Sequence, residues 1–145
     1  MNLDIPHKLI PSFKNLKTNR YDTVVWHGGR GSAKTNALIK IAILESFIDD
    51  GVILCCREIQ KSIAYSLYSA IVNFISDNKL EHLFKITLGE IVNLQTNARF
   101  IFAGLKSNIT SIKSIDKLRV ILTDEAENIT QQSWDYLRPT PRYGH

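Results

Sequence analysis

Residues 24–35 read VVWHGGRGSAKT. An apolar run stops at two glycines, and a lysine and a threonine follow a few residues later. The run at 21–27 has the length and the Val/Trp content of a buried strand. After Lys34, the residues Leu38, Ile41, Leu44 and Ile48 fall at the spacing of a helix face, which Asp49, Asp50 and Gly51 close. A strand that feeds a helix through a glycine-rich turn is half of a crossover unit. The pattern then repeats: VILCC at 52–56 reads as a second strand, and Ile59, Ile63, Leu67, Ile71, Phe74 and Ile75 make a second helical stripe ending near Asp77 and Asn78. Strand, helix, strand, helix implies an α/β fold with parallel strands joined by right-handed crossovers.

The later chain changes rhythm. Segments 84–88 and 91–95 flank Gly89 and Glu90 as a hairpin would, and 99–103 leads out as a third strand. Residues 104–118 are polar and suit a loop or a short helix. RVILT at 119–123 is another buried strand, ended by Asp124 and Glu125, and 130–137 reads as a helix stopped by Pro139 and Pro141. Residues 1–20, with Pro6 and Pro11, form a lead-in with a short helical piece at most. No repeat, low-complexity tract or linker interrupts the 145 residues, so one domain is the economical reading.

Composition narrows the class. The apolar fraction of 44% and charged fraction of 22% are those of a soluble globular chain. No window approaches a membrane span and the N-terminus lacks a secretory h-region, so the expected compartment is the cytoplasm. A net charge of +4 permits a polyanionic partner without demanding one. Cys55 and Cys56 are adjacent; on a strand they point to opposite faces, so they share neither a metal nor a disulfide. The four scattered histidines suggest no metal site.

The glycine-rich stretch has a chemical reading. Consecutive backbone N–H groups turned inward cradle phosphate, and the helix N-terminus behind them adds its positive dipole end. A lysine at the helix start reaches the β- and γ-phosphates, and the next hydroxyl takes Mg²⁺. The pattern G-x-x-x-x-G-K-[ST] encodes this. Here Gly28 opens the loop, Gly29, Arg30, Gly31 and Ser32 fill it, and Lys34 and Thr35 close it. Ala33 stands where the second glycine is expected. Alanine resists positive φ, so the loop is expected to keep that position in the helical region. Arg30 is placed to touch the γ-phosphate or the charge that develops in transfer, or else faces solvent.

The strand ending at Asp124 supplies the second half. An acid at a buried strand tip holds Mg²⁺ through water, and a neighbouring carboxylate polarises the attacking water; Asp124 and Glu125 are the candidates. An acidic pair after apolar residues also suits a helix N-terminal turn, with Ala126 and Glu127 continuing it. Lys113, Lys117 and Arg119 are candidates for a finger reaching a neighbouring subunit or for DNA-phosphate contacts, against the plainer reading of a solvated loop.

Taken together, GGRGSAKT, CCREIQKSIAYSLY, NARFIFAGLKSNITSIKSI and VILTDEAENITQQSWDYLRPT resemble, in order, the ATPase domain of the large terminase subunit of tailed bacteriophages. The resemblance spans nearly the whole chain. It implies a RecA-like P-loop NTPase core of the additional-strand, catalytic-glutamate class. It also implies an ATP- and Mg²⁺-dependent motor that pumps double-stranded DNA into a procapsid inside the bacterial host. Partners implied are the portal protein, a small terminase subunit and further copies of the chain in a ring. By position, Gly28, Gly29, Arg30, Gly31, Ser32, Ala33, Lys34 and Thr35 bind the phosphates. Thr35 and Asp124 serve the metal, Glu125 activates water with Arg30 as the loop arginine, and Arg57 positions motor elements.

The family's next strand, with its coupling motif, and its nuclease domain have no counterpart here. Residues 1–145 are therefore expected to be the N-terminal part of the ATPase domain, incomplete at the C-terminus, with weak or no turnover alone. The absent strand would lie between the loop strand and the Asp124 strand, leaving two edges apart and inviting self-association. The alternatives are a nucleotide- or partner-binding protein without turnover, and another P-loop ATPase such as a helicase-like protein.

Overall fold

VILCC forms the spine of the molecule. In a computed structural model, which describes residues 7–11, 23–29, 31, 33–59 and 67–138, this run is the strand β1 (Val52–Arg57), buried along almost its whole length. A continuous apolar run without alternation suits a strand covered on both faces. The other strands are β2 (Phe84–Thr87), β3 (Glu90–Asn93), β4 (Arg99–Gly104) and β5 (Leu118–Thr123). The sheet order is β2-β3-β4-β1-β5. β4 and β5 flank β1 in parallel, with Cys56 opposite Ala103 on one side and Thr123 on the other. β2 and β3 form the antiparallel hairpin, and β3 joins β4 antiparallel. The sheet is therefore mixed, with a parallel centre.

Among the described residues, four α-helices cover it: α1 (Lys34–Glu45), α2 (Ser69–Asp77), α3 (Leu105–Ile112) and α4 (Gln131–Leu137). Ile39, Ile41, Ala42 and Ile43 of α1 pack with Ile71 and Ile75 of α2 against Ile53, Cys55, Ile91 and Phe100. On the opposite face Leu105, Ile112 and Leu137 from α3 and α4 pack with Val52, Leu54 and Cys56. Cys55 and Cys56 thus enter different layers, as strand alternation requires. No helix among the described residues is long and apolar enough to cross a membrane.

Two expectations change. The segment 23–29 joins no strand, although Trp26 packs on the core; residues 21 and 22 lie outside the described residues. A strand exists through its ladder, whatever its composition, and among the described residues no strand pairs with this segment. β5 stands at one end of the sheet, so no continuous pairing runs from the glycine-rich segment to the acidic strand. The second correction concerns α1. Of the face Leu38, Ile41, Leu44 and Ile48, only Ile41 is fully buried, and Ile48 is exposed. Its buried residues instead surround much of the helix, because ALIKIAIL is apolar nearly all round. The second helical stripe holds in part: Ile59 lies in a bend just after β1 and is exposed, Ile63 lies outside the described residues, and Leu67, Ile71 and Ile75 are buried.

Candidate phosphate and metal site

The site forms at the C-terminal ends of the parallel strands, where α1 begins. Lys34 is the first residue of α1, and its ammonium donates to the carbonyls of Gly28 at 2.6 Å and Gly29 at 3.2 Å. The loop is thereby drawn around the cation. Gly31 has φ of 79°, and a Cβ there would meet nothing within 4 Å, so backbone conformation and not crowding calls for glycine. Ala33 does not take the helical conformation expected of it. Its φ of 60° and ψ of 15° are left-handed, at a cost of roughly 1–2 kcal/mol for a residue with a Cβ. The chain must reverse before entering α1, and Ala33 makes the turn while its carbonyl accepts the first helical bond from Ala37 at 3.0 Å. Arg30 and Ser32 lie outside the described residues.

Across this loop stands the tip of β5. Thr35 Oγ1 donates to Asp124 Oδ1 at 3.5 Å, joining residues 89 positions apart. Asp124 is held from the other side by the Arg57 guanidinium through Oδ2. Parallel pairing explains this contact. Cys56 lies opposite Thr123, so the residues that follow them, Arg57 and Asp124, emerge side by side. The backbone N–H of Asp124 donates to the Cys56 carbonyl at 3.2 Å. Arg57 also reaches Glu125, with Nη1 3.4 Å from Oε1. The Arg57 and Asp124 side chains are mostly buried, at 12% and 14% exposure, whereas Glu125 is half exposed at 49%. The planar guanidinium presents several donors in a fork, which lets one side chain engage both carboxylates at once.

Glu125 has φ of 53° and ψ of 47° and caps a single 3₁₀ turn over Ala126–Asn128. The turn-former reading of the acidic pair therefore holds locally. With that backbone the Glu125 carboxylate does not diverge from Asp124, because both acids converge on the one Arg57 guanidinium. Arg57 Nε is buried with no hydrogen-bond partner among the described residues.

The donor set suits a hard cation. A threonine hydroxyl and a carboxylate oxygen, 3.5 Å apart, are the oxygen ligands Mg²⁺ accepts when water and phosphate complete its shell. Among the described residues no three His, Cys, Asp or Glu side chains group as a cage, so a metal at Thr35 and Asp124 would lean on ligands from outside the protein. Lys34, Gly31 and the start of α1 likewise suit phosphate, which needs a wrapped loop and not a deep hole. The depressions of about 450 Å³ beside Lys113 and Tyr136 and about 290 Å³ beside Asp50 and Asp116 lie elsewhere. Neither presents a comparable set of phosphate donors.

Three further basic candidates are engaged away from this end. Arg119 pairs with Glu45 at 3.0 Å and with Asp49, Lys117 pairs with Asp50, and Lys113 lies 4.1 Å over the Tyr136 ring. Arg119 and Lys117 sit at the start of β5, the opposite end from Asp124. Two features of the site escaped sequence reasoning. One is the double grip of Arg57, signalled by two apolar runs that end in opposite charges, VILCC-Arg57 and VILT-Asp124. The other is Glu58, which binds the start of α4 and had no signal beyond its place after Arg57.

A search of curated proteins gives no match. A family model described as phage terminase large subunit matches residues 20–145, a span that contains the loop, Arg57 and both acids. The chain belongs to the phage terminase large subunit family.

Proposed function

We propose that this chain is an ATP-binding module of a phage DNA-packaging motor, built on a RecA-like P-loop core of the additional-strand, catalytic-glutamate class. Residues 1–145 would form the N-terminal part of its ATPase domain. The observation that supports this most is the meeting of Thr35 and Asp124 at 3.5 Å, which joins the loop helix to an acid at a strand tip. Bound Mg²⁺ supplies charge neutralisation for the phosphates. Gly28, Gly29, Arg30, Gly31, Ser32 and Ala33 bind phosphate with their backbone, and Lys34 exchanges its loop carbonyls for phosphate oxygens. Thr35 and Asp124 would hold the metal, Glu125 would take the proton of the attacking water, and Arg30 would stabilise charge on the transferred group. In the packaging assembly the partners are double-stranded DNA, the portal protein, a small terminase subunit and other copies of the chain, within the host cytoplasm.

A second reading has its own support. Arg57 engages both acids, which disfavours Glu125 as a free base, so the chain alone binds nucleotide with weak or no turnover. Thermal unfolding with and without Mg-ATP tests binding. At a nucleotide concentration 100-fold above Kd the wild type gains about 2.7 kcal/mol, and Lys34→Ala gains none. Equal shifts in both proteins, or none in either, refute a working loop. Phosphate release measured alongside separates the readings, since robust hydrolysis lost in Glu125→Ala would exclude the binding-only form.

A further inference from the structure

β1 delivers two consecutive charged residues, and they face different elements. Arg57 grips Asp124 and Glu125. Glu58 turns to α4. Its Oε2 accepts from the Thr130 backbone N–H at 3.4 Å, and its Oε1 accepts from the Thr130 and Ser133 hydroxyls, each at 3.3 Å. Thr130 is the N-cap of α4, with Oγ1 accepting from Ser133 N at 3.2 Å. The Glu58 carbonyl accepts from Lys106 N at 3.0 Å in the first turn of α3. The α3 and α4 helices share one core layer through Leu105, Ile112 and Leu137.

The chemistry of the cap needs a carboxylate. Thr130 Oγ1 also lies 3.0 Å from Ser133 Oγ, and an acceptor-only group takes whichever hydroxyl proton this pair turns toward it while also accepting the backbone N–H. An amide in its place would turn an NH₂ toward one of these donors.

We propose that Glu58 is a positioning residue that transmits the state of the acidic tip to α4. Arg57 is anchored on Asp124, and Glu58 follows it directly. When Arg57 loses that anchor, the strand end shifts and the cap of α4 loosens. The role in a nucleotide cycle rests on the proposed function above, but the mechanical link does not.

A double-mutant cycle read by hydrogen exchange tests the link without nucleotide. Exchange of the α4 amides is measured in wild type, Asp124→Asn, Glu58→Gln and the double variant. The expected result is a speeding of about tenfold by Asp124→Asn in the wild-type background, and of less than twofold once Glu58 is Gln. Ser133→Ala, which removes one hydroxyl from the other side, should blunt the response in the same way and serves if Glu58→Gln folds poorly. An equal effect of Asp124→Asn in all backgrounds would assign the coupling to the connecting residues 126–130 and overturn the proposal, as would no effect in any. A Mg-ATP arm separates the two ideas. Failure of nucleotide to bind sinks the proposed function and leaves the cycle readable.

Discussion

Ala33 is a residue with a Cβ in a conformation that favours glycine. Its left-handed φ of 60° should cost roughly 1–2 kcal/mol, while a glycine there would give back about 1 kcal/mol through the freer unfolded chain. Ala33→Gly is therefore expected to leave stability unchanged or raise it by up to about 1 kcal/mol. The same change at Ala42, buried in the last turn of α1, should lose about 1 kcal/mol. Urea midpoints decide between them; equal losses at both positions would mean that Ala33 is not strained. The residue types were legible in advance: Lys34, Thr35 and Asp124 followed from a spacing and a strand tip. The backbone of Ala33 was not, because its φ is set by where α1 must begin and not by its neighbours in sequence. Asp124 and Glu125 are expected to diverge at the strand end, yet both meet the Arg57 guanidinium, because the cation delivered by the neighbouring strand draws the two carboxylates together.

At the scale of elements, α1 and β5 are joined at both ends. Thr35 meets Asp124 at the site, and Glu45 meets Arg119 at the far rim, where Asp49 also takes the guanidinium. Glu45 is nearly buried, at 7% exposure, so Arg119→Ala strips a shielded carboxylate of its guanidinium and should cost roughly 2–4 kcal/mol. Chemical denaturation would show it as a lower midpoint with an unchanged slope. A loss under 0.5 kcal/mol would mean that the rim is solvated. Gly51 lies in the same corner, where an added Cβ would sit 2.9 Å from Asp49 Oδ1 and 3.0 Å from Arg119 Cβ. The short apolar runs at 52–56 and 119–123 and the hairpin around Gly89 are legible as strands and a turn, because apolar runs and turn chemistry are local signals; full burial holds for 52–56, whereas in 119–123, on the end strand, only Leu122 is buried. The strand expected over 21–27 is not formed in its described part, 23–27, because pairing is not local: the Val and Trp residues suit a ladder that the described sheet does not offer.

Across the whole molecule, the two core layers meet at the sheet through Cys55 and Cys56, both fully buried. Burial raises both thiols. Cys56 is pushed up to about 12, its hydrogen bond to Thr123 lowering it and the charge of Glu58 raising it further; Cys55 is raised more strongly, by burial first and by Cys56 second. In the unfolded chain these thiols ionise near 9.0, whereas in the native state they stay protonated. Their contribution to stability is therefore whole below pH 9 and is lost as pH rises from about 9 toward 12. The slope is on the order of 1 kcal/mol per pH unit for each thiol. Melting temperatures of wild type and Cys56→Ser across that range check this, and the gap between them should narrow at high pH. The double attachment of α1 and β5 has a geometric consequence. Between its two contact residues, Thr35 and Glu45, the helix advances about 15 Å, and between Arg119 and Asp124 the strand advances about 17 Å. The two act as matched rulers laid between the same pair of marks. One inserted residue in either would offset the Thr35 and Asp124 oxygens by about 1.5 Å or 3.3 Å, so the lengths of these segments are as tightly specified as the side chains at their tips.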